Sequence, residues 1–241
     1  MAQAVVNVLC IKWGTKYSYK DVNILQSMVS RHLKRPHRFV CLTDDRDGID
    51  ERVECFDIPE ISVPKEKDVS PWRKLTIFSK QIGDLKGKTL FLDLDVVIID
   101  GIDCFFTFAT KFTIIENWTQ KGRGIGNSAV YCFNIGQHLD VLEYYKKNTE
   151  EVTSKYSNEQ IYLSRKIGNI EFWPANWCRS FKRHCIPPYI IRYFKVPVQP
   201  KDVKIVVFHG NPMPKDAVKG GFFGNILKYV KPTPWIKANW R

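Results

Sequence analysis

Residues 88–99, Lys-Thr-Leu-Phe-Leu-Asp-Leu-Asp-Val-Val-Ile-Ile, form the most apolar stretch of the chain, and they constrain its fold more than any other feature. Continuous apolar runs of this kind belong to strands buried on both faces, as in parallel sheets covered by helices. Residues 5–12, 39–43, 112–115, 129–135 and 204–208 read as further short strands, and residues 53–58 as a candidate. Helical patterns lie between them. Val22, Leu25, Val29 and Leu33 recur at three- and four-residue spacing, as do Leu75, Phe78, Ile82 and Leu85 within 71–85. Pro71 suits the first turn of that second helix, and residues 139–145 and 160–167 also read as helices. The expected fold class is α/β, a mostly parallel sheet flanked by helices. Ligands of such sheets bind beyond the carboxyl ends of the strands.

At 241 residues, with 44% hydrophobic side chains, the chain has material for one large core. That composition excludes a disordered chain and a disulfide mini-protein. No apolar run approaches the roughly 18–20 residues that span a bilayer. The first seven residues lack a basic and a long apolar region, so the expectation is a soluble protein without a signal peptide. Seven cysteines are scattered with no Cys-x-x-Cys pair, which points to small buried hydrophobes in a reducing cytoplasm.

The net charge is +12, and residues 179–241 hold thirteen Lys and Arg against Asp202 and Asp216. The rest of the chain is close to neutral. A cationic region attracts phosphate esters, anionic lipid or nucleic acid. The aromatics beside and within it, Trp173, Trp177, Tyr189, Tyr193, Phe194, Tyr229, Trp235 and Trp240, suit a membrane interface or a ring-bearing ligand. The alternative is a solvated face that keeps the protein soluble.

Asp93 and Asp95 interrupt the apolar run. In an extended chain, residues i and i+2 point to the same side, so the pair could chelate Mg²⁺ or Mn²⁺ and hold it against phosphate oxygens. A pair that simply reaches solvent at a strand end is the other reading. His209 directly follows the 204–208 strand, and Gly210 with Pro212 and Pro214 makes a rigid turn there. Imidazole beside two carboxylates favours Mn²⁺ over Mg²⁺. Lys215 could neutralise a phosphate. Residues 122–128 contain no G-x-G-x-x-G opening a helix, so a Rossmann or P-loop reading fails.

Five segments in order carry a resemblance: residues 10–17, residues 39–45, Asp93-Leu94-Asp95, Ser157-Asn158-Glu159-Gln160, and residues 209–215. Pro234-Trp235-Ile236 also fits. The chain resembles a GT-A-fold nucleotide-diphospho-sugar glycosyltransferase, closest to the family-8-like transferases of bacterial surface glycans, over essentially its whole length. The resemblance implies that Asp93, Asp95 and His209 bind the Mn²⁺ or Mg²⁺ that bridges the donor diphosphate. Trp13, Gly14 and Tyr17 would hold base and ribose, with Thr43 and Asp44 nearby. Lys12 and Leu94 count among the nucleotide-sugar-binding residues, and Arg73 or Lys74 would face the donor. Asn127 and Ser128 would line the sugar pocket, and Gly210 and Lys215 the phosphates. Glu159 and Gln160 would sit near the anomeric carbon, with Gln160 in the pocket and Glu159 beside a helix N-terminus. Two departures stand out: Lys215 comes one residue later than usual, and the polar pair is Glu-Gln rather than Asp-Gln.

The resemblance implies one GT-A domain, with residues 1–100 as the nucleotide-binding half and residues 101–241 as the acceptor half with its basic, aromatic C-terminal region. It implies retaining transfer of a hexose, with a UDP-sugar as the expected donor, to a glycan or lipid-linked acceptor in lipopolysaccharide or capsule biosynthesis. The expected location is cytoplasmic and peripheral on the inner membrane face, against an anionic surface, with no nucleic acid bound. The alternatives are a HAD-like phosphatase, whose nucleophile motif residues 91–97 match, and a non-enzymatic binder of anionic membrane or nucleic acid.

Overall fold

The computed structural model describes residues 4–63, 71–224 and 228–241; the first three residues of the amino-terminal stretch lie outside them. In chain order the elements are β1 (Val6–Lys12), α1 (Tyr19–His32), β2 (His37–Thr43), β3 (Glu54–Phe56), a 3₁₀ helix (Pro71–Phe78), β4 (Lys88–Leu92), β5 (Val96–Ile98) and α2 (Asp103–Phe108). Then come β6 (Thr113–Glu116), β7 (Gly126–Asn134), α3 (Leu139–Lys147), α4 (Thr149–Lys155), α5 (Glu159–Ile167), β8 (Glu171–Phe172) and β9 (Cys178–Ser180). A π-helical turn (Phe181–Cys185) and a 3₁₀ turn (Ile191–Tyr193) precede β10 (Ile205–Val207), α6 (Pro214–Lys219), β11 (Gly221–Phe222), β12 (Tyr229–Val230) and α7 (Pro234–Asn239).

The main sheet has seven strands in the order β3-β2-β1-β4-β7-β6-β8. Its pairs are parallel except those that β7 makes with β4 and β6. Period-two alternation explains why its strands read as continuous apolar runs. On β1, Val6, Val8 and Cys10 face one layer while Leu9 and Ile11 face the other. On β7, Val130 and Cys132 face the first layer and Tyr131 and Phe133 the second. Buried residues of α1 and α2 pack in the first layer, and those of the 3₁₀ helix, α3 and α5 in the second.

Two expectations need correction. The apolar run at 88–99 is not one strand. β4 ends at Leu92, and Asp93-Leu94-Asp95 turns a corner from which β5 leaves to pair antiparallel with β10 in a second, three-stranded sheet, β5-β10-β9. Backbone bonds fix that corner from both sides: the Asp93 N–H donates to the Ala129 carbonyl at 2.9 Å, and the Asp95 carbonyl accepts from the Phe208 N–H at 3.0 Å. The helix expected over 71–85 is a 3₁₀ helix that stops at Phe78. The Thr76 and Ser79 hydroxyls bond the carbonyls three residues back, at 2.7 and 2.6 Å, offering the backbone an alternative to α geometry. Five of the seven cysteines are buried, and all are free thiols. No helix among the described residues is long and apolar enough to cross a membrane.

Candidate functional site

A cleft of about 1340 Å³ opens beyond the carboxyl ends of β1, β2 and β4, where an α/β sheet places its ligands. Its wall is assembled from separate elements: Trp13 to Tyr17 after β1, Thr43 and Asp44 at the end of β2, and Arg73 and Lys74 on the 3₁₀ helix. The Asp93–Asp95 corner, Asn127 and Ser128 on β7, Asn158 to Gln160 at the start of α5, and His209 and Gly210 after β10 complete it. Sixteen of the residues singled out in the sequence, drawn from across the chain, therefore border one space.

Local bonds fix these side chains. Gly14, at φ 57°, adopts the left-handed conformation and donates its N–H to the Asp44 carboxylate at 2.9 Å, joining the first two loops. The Tyr17 hydroxyl donates to Asp95 Oδ2 at 2.8 Å, and burial pushes its pKa up, with help from the Asp95 and Asp93 charges. Tyr17 is therefore a support of the acidic corner as well as a wall of the cleft. The Lys74 ammonium spans both oxygens of Asp93, at 2.6 and 2.7 Å. Burial opposes that ammonium's charge, but Asp93, then Glu159 and Asp95, hold its pKa above the ordinary value.

Asp95 differs from its neighbour. It is only 5% exposed, and its Oδ1 is buried without a hydrogen-bond partner. Burial, and then the Asp93 charge, push its pKa up to about 7. An orphaned buried carboxylate oxygen beside a second carboxylate is a seat that a hard divalent cation would satisfy, with substrate phosphates supplying further ligands. The third expected ligand is turned elsewhere. His209 Nε2 and Ser180 Oγ share a 2.7 Å hydrogen bond, and the imidazole stacks on Trp118 at 6.0 Å. Burial, then Lys182 and Arg183, lower its pKa. Among the described residues no three His, Cys, Asp or Glu groups converge on one metal position. The two carboxylates fit a divalent cation, while His209, on the same cleft, has its Nε2 engaged by Ser180.

The remaining expected residues divide between cleft and periphery. Glu159 does sit at the first turn of α5, as expected, but it is buried there. It lies 3% exposed and accepts from Ser128 Oγ at 2.6 Å, while Gln160 Oε1 accepts from Asn127 Nδ2 at 3.5 Å. Both residues line the cleft. Lys12 does not: its buried ammonium donates to the Asp45 carbonyl at 3.3 Å, at the end of β1. Lys215 is exposed on α6, outside the lining.

Lys182, which was not among the expected binding residues, approaches the cleft at Gly210. Its ammonium lies so close over Gly210 that a Cβ there would meet it at 3.4 Å. Among the described residues no carboxylate pairs with it, and burial, then Lys228 and Arg183, lower its pKa. Sequence reasoning also missed Ile58 to Ser62, Lys16 and Lys146 along the wall. Residues 58–62 follow the carboxyl end of β3, a position the parallel-sheet rule would have flagged; Lys182 lies on an irregular turn and gives no local signal.

No protein-family model matches the sequence, and no curated protein matches it either. Solved structures do. The galactosyltransferase LgtC, in complex with donor and acceptor sugar analogues, superposes with a TM-score of 0.57 at 15% identity, over 86% of this chain and 88% of that one. An active-site Gln-to-Glu variant of LgtC superposes with the same TM-score at 12% identity, over 86% and 89%. The chain has the GT-A fold. This bears out the α/β class with a mostly parallel central sheet flanked by helices. A GT-A fold is also not that of a HAD phosphatase, which removes the main enzymatic rival. At this identity the likeness speaks for the fold, and the chemistry rests on the residues that line the GT-A cleft.

Proposed function

We propose that the chain is a single-domain glycosyltransferase that moves a hexose from a nucleotide-diphospho-sugar, a UDP-sugar by preference, to a hydroxyl of a glycan or lipid-linked acceptor. The observation that carries this is the convergence of Asp93, Asp95, Gln160 and His209, from separate segments, on one cleft of a GT-A fold. The LgtC complex holds donor and acceptor sugar analogues, and its Gln-to-Glu active-site variant involves the residue types that stand side by side here as Glu159 and Gln160.

In this reading Asp93 and Asp95 would hold a divalent ion, Mn²⁺ or Mg²⁺, at the donor diphosphate. When bound, that ion stabilises the charge developing on the leaving group. Tyr17 orients Asp95, and Lys74 holds Asp93 in place and keeps a cation beside it. Trp13 and the Gly14–Asp44 pair receive the nucleoside. Gln160, steadied by Asn127, faces the sugar as an oxocarbenium-like centre develops. Glu159 is held by Ser128, and in this reading it is a positioning group and not the base for the acceptor hydroxyl. Retention follows, with the leaving phosphate taking the acceptor proton. We place the enzyme in the cytoplasm, in surface-glycan assembly, peripheral to the membrane.

The primary test is nucleotide release from a panel of UDP-, GDP- and dTDP-sugars with Mn²⁺ or Mg²⁺; no release from any donor by folded protein would sink the reading. Proton NMR of the first product from an α-linked donor should show an α-linkage. A β-linked product, with Glu159→Gln losing far more rate than Gln160→Ala, would reverse the stereochemistry.

The structure also separates two lysines. Lys182→Ala should weaken UDP binding by about ten- to a hundredfold, the effect of one lost hydrogen bond to a charged group. Lys215→Ala should leave it within about twofold. Calorimetric titration decides, and the reverse order would return the phosphate contact to Lys215.

A further inference from the structure

Between the π-helical turn and β10 the fold leaves an apolar face uncovered. Tyr189, Ile190, Ile191, Phe194 and Val198 are exposed there, with Ile190 at 69%, Phe194 at 75% and Val198 at 64%. The exposed Phe222 of β11 joins them through an aromatic platform. Tyr193 stacks on Tyr229 at 5.2 Å and 5°, Phe222 lies 4.8 Å from Tyr229, and Tyr189 meets Tyr193 edge-on at 6.1 Å.

This segment is held in place from behind. The Val198 N–H donates to the Cys185 carbonyl at 2.9 Å, Lys231 Nζ to the Phe194 carbonyl at 3.2 Å, and Trp235 Nε1 to the Pro197 carbonyl at 2.8 Å. A braced backbone that presents Ile, Phe and Val to water has no packing reason for doing so, and a contiguous exposed patch of this kind marks an interaction surface.

The surrounding charge identifies the partner. Residues 179–201 contain Arg179, Lys182, Arg183, Arg192, Lys195 and Lys201 and no Asp or Glu. A segment that interleaves apolar and aromatic side chains with cations and carries no carboxylate matches the interface of an anionic bilayer: rings and aliphatics enter at headgroup depth while Lys and Arg meet the lipid phosphates.

We propose that the 189–198 segment with the β11–β12 aromatics is the face that docks on an anionic lipid surface. The chain's carboxyl end is not that face. Ile236 of α7 is wholly buried, and Arg31 donates to the carbonyls of Asn239 and Arg241, both at 2.6 Å. Trp173, counted with the interface aromatics from sequence, is 4% exposed and belongs to the core. Lys182, in the basic stretch that precedes the segment, overhangs Gly210 of the cleft. The docking surface stands without the transferase reading; that the acceptor hydroxyl is carried by a lipid rests on it.

The test is sedimentation of the full chain, without nucleotide or metal, with vesicles of phosphatidylcholine and phosphatidylglycerol at about three to one and with phosphatidylcholine alone. The protein should partition onto the mixed vesicles at low salt and much less onto the neutral ones. Ile190→Ser with Phe194→Ser should reduce partitioning at least about tenfold, with an unchanged melting temperature because both side chains are exposed. Lys195→Glu should reduce it as well, and Lys237→Ala on α7 should not. Partitioning by the double variant equal to that of the parent would overturn the proposal. So would a parent that ignores anionic vesicles but elutes as a dimer which the double variant dissociates, since the face would then be a contact between copies. Donor hydrolysis is measured separately, so failure of the docking face and failure of the transferase reading remain distinguishable.

Discussion

Asp95→Asn is expected to yield a protein that melts higher than the parent and transfers no sugar. Asp95 is buried beside Asp93, and its Oδ1 has no partner. In the absence of a bound cation, such a carboxylate opposes folding through desolvation and like-charge repulsion. Asparagine keeps the shape and can still accept the Tyr17 hydroxyl bond while removing the charge. A gain of about 1 kcal/mol would raise the melting midpoint by roughly 2–4 °C in a chain of this size. Activity should fall by at least about a hundredfold if, as proposed, the lost group is a cation ligand at the diphosphate. Thermal melts in chelator and nucleotide release in Mn²⁺ check the two halves independently. A variant that is both destabilised and active would mean that Asp95 is a structural carboxylate.

Trp72→Ala should lower stability by about 3–5 kcal/mol, the loss that follows when a large aromatic is cut out of a packed core. Trp72 is 1% exposed, stacks on Tyr145 at 5.3 Å and meets Tyr162 at 6.1 Å. It anchors the 3₁₀ helix to α3 and α5, and the next two residues on that helix, Arg73 and Lys74, line the cleft. Marginal stability makes a loss of that size a large fraction of the whole. Donor binding should therefore weaken even where the variant remains folded, as Lys74 loses its fixed approach to Asp93. Urea unfolding with a parallel UDP titration reads both effects. A loss below about 1 kcal/mol would show that the aromatic cluster is not what seats the helix.

The sheet was legible because its strands carry β-branched and aliphatic residues on both faces, so β1, β2, β4 and β7 announce themselves as apolar runs. The sheet switch inside residues 88–99 was not, since β4 and β5 are equally apolar and only the two aspartates mark the corner. The same aspartates, read as neighbours on one strand, could not disclose that Lys74 would clasp one of them while an oxygen of the other stayed unpaired. His209 was found by its place after a strand, but its bond to Ser180 links residues 29 positions apart, and no local pattern encodes that. Gln160 and Glu159 were found as a pair, yet the burial of Glu159 depends on Ser128 across the cleft. Lys182 gave no signal for the same reason: its approach to Gly210 is a contact between a π-helical turn and the end of β10.

Calorimetric titration of UDP into the full chain, with Mn²⁺ and then with chelator, tests the central claim most directly. The account predicts binding that needs the metal, weakens at least about tenfold on chelation, and is lost in Asp95→Asn. Binding that is absent with UDP, GDP and dTDP alike, or that is indifferent to both the metal and Asp95, would contradict it.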